Sequence, residues 1–168
     1  MLFGPVGVFF TEQRARASGE ETRARVGLED PAFVMRDRFL AGLGTALGIA
    51  PPSVQETCDT DDIKKLAQKL GSSGVVFDFR TIDWGVGAPP PTPFVAGGYG
   101  VFYMGRVRVI RLEEPKVVWQ GLCFGGTSDD KRTTLAAFQD NDGALVKTEL
   151  VAAAESCAKV LLHQMAKG

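Results

Sequence analysis

Residues 99–126, YGVFYMGRVRVIRLEEPKVVWQGLCFGG, decide the fold. They read as a long β-strand, a tight turn at Glu113-Glu114-Pro115-Lys116, and a return strand that runs into glycines. Val107 and Val109 alternate with Arg106, Arg108 and Arg111, which predicts one buried and one wet sheet face. The arginine row then reads as solvated surface rather than as an anion site. The return strand ends near Cys123, and three readings of that thiol are open: half of a disulfide, a nucleophile, or a small core residue.

Upstream, GVVFDFRTIDWGVG (74–87) is another strand, with Val75, Phe77 and Phe79 on one side and Asp78 and Arg80 on the other. A loop of glycine and proline comes next, GVGAPPPTPFVAGG (85–98), with no periodicity. Before the strand come two helical patterns. In the first, Asp30 is placed to cap, Pro31 suits the first turn, and Met35, Phe39, Leu43 and Leu47 recur every four residues. Pro51-Pro52 ends it, and its glycines suit close packing against a sheet. SVQETC (53–58) is a short candidate strand. DTDDIKKLAQKLG (59–71) is a second helix, capped by Asp59 or Thr60, with Ile63, Leu66, Ala67 and Leu70 as its buried stripe.

After the hairpin the chain is helical and rich in alanine. Asn141-Asp142-Gly143 reads as a break, and beyond it Val146, Leu150, Ala153, Cys157, Leu161 and Gln164 share one face. The whole order predicts an α/β fold: a small mixed or antiparallel sheet of about four strands packed with helices as a two-layer or three-layer sandwich. Residues 1–27, charged and mixed in sign beyond residue 10, form an N-terminal arm or exposed helix, and residues 28–168 form one domain.

Composition narrows the function. The 168 residues carry 19 basic and 20 acidic side chains, a net charge of −1, which gives no electrostatic case for nucleic acid. No apolar run approaches the ~20 residues of a membrane span. The apolar start MLFGPVGVFF lacks the basic region of a signal peptide, and is compatible with a mature start left after removal of one. Three cysteines and one histidine cannot build a zinc site of the usual spacing, and no cofactor is expected. GGTSDDKRTT (125–134) lacks the Gly-Lys-Ser/Thr ending of a P-loop, GGYGVF (97–102) has no helix after it, and there is no GxSxG. His163 sits in the last turn of the last helix, where it gives Cys123 no local support as a nucleophile. Spacing leaves a Cys123–Cys157 bridge and two free buried thiols evenly matched.

Trp84-Gly85, Tyr103, Arg106, the run from Trp119 to Cys123, and Cys157 together resemble a pattern found in small bacterial envelope lipoproteins. More distantly the chain is similar to the α/β domains of curli-secretion, TolB N-terminal and penicillin-binding-protein-activator lipoproteins. The resemblance runs over residues 28–165. It implies a periplasmic protein tethered by lipid to the outer membrane, a Cys123–Cys157 disulfide, and an accessory, assembly or partner-binding role without turnover. The lipid-bearing cysteine of such proteins is absent from this chain, so a membrane contact is only inferred. The expected partner is an envelope protein or cell-wall component, and an exposed edge strand leaves homo-oligomer formation open. Trp84, Phe94, Tyr99, Tyr103 and Arg106 are the candidate interface, grouped about the 85–98 loop. The alternative is a small-molecule binder or enzyme with a site between the sheet and that loop, using Asp78, Asp83 or Arg106.

Overall fold

The computed structural model describes residues 27–48, 60–71, 73–88 and 98–167. Helix α1 (Pro31–Leu47) and helix α2 (Ile63–Leu70) precede a sheet of three antiparallel strands in the order β1 (Val75–Gly87), β2 (Gly100–Arg111) and β3 (Lys116–Gly126). A short helix α3 (Leu135–Gln139) and the long helix α4 (Ala144–Lys167) complete the chain. The α/β class stands, and among the described residues the sheet is antiparallel with three strands rather than about four. The fourth candidate, 53–58, lies outside the described residues, as do most of the N-terminal arm, Pro51-Pro52, Cys58 and the loop residue Phe94.

Local chemistry sets the helix ends. The Asp30 carboxylate accepts from the Ala32 amide at 2.9 Å with Pro31 in the first turn, and Gly48 closes α1 in the left-handed conformation. In α2 the cap is Asp62, not Asp59 or Thr60: its carboxylate accepts from the Lys64 and Lys65 amides, and Thr60 instead accepts from the Asp62 amide. Asn141, Asp142 and Gly143, all at positive φ, break α3 from α4 where the sequence reads a break.

One face of the sheet is closed by α1 and α4. Val101, Tyr103, Val107 and Cys123 from β2 and β3 meet Met35, Phe39, Leu43, Val146, Leu150, Ala153, Cys157 and Leu161 in a single core. Full burial of large apolar side chains such as Phe39 and Leu161 contributes about 1.5–3 kcal/mol each. Phe39 packs edge-on against Phe79 with ring centres 5.4 Å apart. The close approach that glycine permits in α1 is to a helix, not to the sheet: a Cβ at Gly42 would stand 2.4 Å from Leu162 of α4. Arg38 pairs with Glu155 across the same helix contact. At the far end of the hairpin, a Cβ at Gly126 would stand 2.4 Å from the Val101 carbonyl oxygen. That room lets Thr127 clamp β2, its amide donating to the Val101 carbonyl and its hydroxyl accepting from the Val101 amide.

Cys123 and Cys157 are joined by a disulfide with Cα atoms 5.4 Å apart, which fastens α4 to β3. The bridge spans a sequence separation of 34. On the chain-entropy view, closing such a loop stabilises the fold by about 4 kcal/mol. Replacing both cysteines by alanine is expected to lower the urea-unfolding free energy by about that amount without altering the far-ultraviolet spectrum of the fold. A loss under about 1 kcal/mol would show that the helix is held by packing alone.

Candidate functional site

The other face of the sheet carries the chemistry. Strand pairing sets Asp78 opposite Arg108 and Arg80 opposite Arg106 on β1 and β2. This face is not wet at the arginine row, as alternation predicts, because the lead-in to α2 lies across it. The side chains of Arg108 and Arg106 are only 7% and 14% exposed. Ile110, next along the same face, is fully buried, and so is Leu66 of α2; neither belongs to the main core.

Asp61 is the centre of the network. Its carboxylate takes hydrogen bonds from Arg106 and, at 2.8 Å, from Arg108, and Arg80 Nε lies 3.3 Å away. Its backbone carbonyl accepts from both terminal nitrogens of Arg108 at 3.3 Å, and Arg80 donates to the Thr60 carbonyl. Asp78 holds Arg108 from the other side, accepting from its Nε at 2.8 Å. Asp78 also lies 3.5 Å from Arg106 and 3.7 Å from Arg80, so among the described residues three guanidinium groups face two carboxylates, an excess of one positive charge. Among the described residues one buried polar side-chain atom, Arg106 Nε, has no hydrogen-bond partner. The hydrogen bond from Arg106 holds the Asp61 carboxyl below its ordinary range, helped by the charges of Arg106, Arg108 and Arg80 and opposed by partial burial.

The same face is apolar and open beyond the arginines. Met104 pairs with Phe124 and Arg106 with Leu122, so Phe102, Met104, Leu122 and Phe124 form one contiguous patch at the uncovered end of β2 and β3. Phe124 is 74% exposed, and Phe102 and Leu122 are exposed by about four-tenths. The Phe102 ring lies over Gly85, where a Cβ would meet it at 2.7 Å. Large apolar side chains in adjoining register positions, bordered by charge, have the anatomy of an interaction surface.

The sequence candidates fall differently. Arg106 is in the network. Tyr103 leaves the candidate interface: it is 1% exposed, its hydroxyl 3.7 Å from the Met35 sulfur, and burial pushes its phenol up to about 12. Trp84 also packs against the core. A bulge leaves Ile82 as an extra residue in β1, which turns Trp84 onto the helical face opposite Tyr103. Tyr99 packs on the same core and pairs with Thr133 through two backbone hydrogen bonds. Asp83 accepts from the Trp84 amide, while Asp78 is engaged by Arg108. His163 is exposed on α4, and Cys123 is committed to its disulfide. Asp61 and the Phe102–Phe124 patch are not among the residues that sequence reasoning singles out. The patch has a signal, since Phe102, Tyr103 and Met104 make an uninterrupted apolar run where one-sided burial calls for alternation.

Compared with known proteins, the chain matches no family model, no curated protein and no solved structure.

Two outcomes test the network. Arg108→Gln removes the nearest partner of half-buried Asp78, which keeps Arg106 at 3.5 Å and Arg80 at 3.7 Å, and is expected to cost about 1.5 kcal/mol in denaturant unfolding. Asp61 has a lowered carboxyl pKa in the folded chain, so its contribution to stability is present above the ordinary carboxylate pKa and fades as pH falls through the folded one. The stability difference between the native chain and Asp61→Asn should therefore be constant near neutrality and shrink steadily below about pH 4. A difference that does not change with pH would refute the charge-based account.

Proposed function

We propose that this chain is a non-catalytic protein-binding domain of the bacterial envelope, acting through the open sheet face rather than through the 85–98 loop. The observation that carries the reading is Phe124, a large aromatic side chain paired with Met104 near the end of β3, with three-quarters of its surface in water. A strand that served only the core would put a polar residue there. The patch around it is apolar, and among the described residues the network at its border has three arginines to two carboxylates. The fitting occupant is therefore a protein surface that is apolar at its centre and acidic at its edge.

The disulfide supports an oxidising compartment, where such bonds persist. The resemblance to envelope lipoproteins supports the periplasm, with tethering to the outer membrane as the finer proposal. An accessory or assembly role suits a domain that offers a binding face.

A photoreactive amino acid at position 124 is the direct test, in cells that carry the protein natively. It should trap a discrete higher-mass adduct, and the same residue at exposed Lys159 on α4 should not. Phe124→Ser should abolish partner association while changing unfolding free energy by no more than about 0.5 kcal/mol, as for other exposed positions. Equal labelling at both positions, or a large stability loss in Phe124→Ser, would overturn the reading.

A further inference from the structure

The arginine network has a feature that mooring α2 does not require. Arg80 and Arg106 stand directly opposite each other on adjoining strands, with Arg108 two residues along the same face. Like charges in opposed register destabilise a sheet, and a purely structural solution would alternate acid and base. Here three guanidinium groups converge on two carboxylates: Asp78, within 3.7 Å of all three, and Asp61, whose side chain is 55% exposed. Asp61 lies in the segment leading into α2, while the arginines are fixed on paired strands and Asp78, 11% exposed, is fixed among them. The acceptor is thus the exposed member of the network and the donors are its rigid part. Arg106 keeps a buried Nε without an acceptor, so the donor set exceeds what Asp61 and Asp78 satisfy. Leu122, opposite Arg106, puts the row directly against the open apolar patch.

We propose that Arg80, Arg106 and Arg108 form a carboxylate-binding clamp, that Asp61 occupies it in the free protein, and that an acidic side chain of the bound protein takes its place. This rests on the reading of the open face as a protein-binding surface for the carrier of the carboxylate, but not for the clamp itself. The planar fork of arginine suits a carboxylate held by two parallel bonds, and a partner's acid flanked by apolar residues would reach clamp and patch together. Asp61 then acts as an internal competitor: the partner must displace it, which weakens binding by any surface lacking an acid in that position. The exchange makes and breaks only hydrogen bonds and ion pairs.

The test uses the full chain with two small probes, acetate and inorganic phosphate, followed through the Arg Nε–Hε signals by NMR. In Asp61→Asn the clamp loses the competing charge, and acetate should shift the Arg106 signal saturably, with an apparent Kd roughly tenfold below that of the native chain. Adding Arg106→Gln to that variant should abolish the response. Asp61→Asn that responds no better than the native chain or the double variant would overturn the clamp. Saturable phosphate binding with no acetate response would overturn its assignment to carboxylates. If Asp61→Asn fails to fold, the native chain is titrated to higher acetate. The Arg106 signal and the Asp61 amide should then move along one saturation curve, and independent or linear shifts would overturn displacement. A working clamp with no adduct at position 124 would separate the two proposals, leaving an anion site without a protein partner at the patch.

Discussion

A three-stranded sheet with helices on one side has a second face, and how that face is disposed of governs the molecule. Helices α1 and α4 spend their apolar stripes on the first face, where the disulfide fixes α4 against β3. Among the described residues only the α2 segment crosses the second, and it meets one end of it. The remainder divides sharply: a buried charge network beside α2, then an exposed apolar patch. Small sheets that face water usually carry polar residues there. This one carries phenylalanine, methionine and leucine, and that departure makes the face the leading candidate for contact with another molecule.

The network illustrates why ion pairs are a poor guide to stability and a better one to placement. Desolvating Arg108 and Arg106 costs free energy that their partners largely return, so the net contribution to folding is small. What the pairs do specify is position. Asp61 fixes where the chain enters α2, and Asp78 fixes the orientation of the Arg108 fork. Loss of one partner is expensive because it strands the other, which is how a network of modest net worth still holds one geometry.

Much of the architecture is legible in the sequence because it depends on periodicity. The alternation in 74–87 and 99–126 and the four-residue repeat of Met35, Phe39 and Leu43 each report a core-facing side; the structure buries Met35, Phe39, Leu43 and Val107 and half-buries Phe77 and Phe79, while Val75 at the start of β1 stays exposed. The site is much less legible. Asp61 lies 45 residues from Arg106 in sequence and 47 from Arg108, and no local spacing joins them. The arginine row reads as solvated because alternation tells which side a residue takes and not what lies on that side. Trp84 escapes for a related reason. Counted by twos from Phe77 and Phe79 it belongs to the open face, and the single extra residue at Ile82 reverses it. Tyr103 is drawn towards an interface by its residue type, whereas its parity with Val101 and Val107 assigns it to the core.

The disulfide and the open face bear on one another. A chain of this size can bury a core without covalent help, so the bridge is not needed to make the fold possible. Its placement is informative: it ties β3 to α4 at Cys123, next to Leu122 and Phe124, which point to the opposite side. Antiparallel edge strands exposing apolar side chains are prone to shift register or recruit unwanted strands. A covalent anchor beneath β3 opposes such slippage, because moving the strand by one residue would turn Cys123 away from α4. The bond thus holds in register the strand that presents Phe124, and the open face inherits its rigidity from the core face behind it.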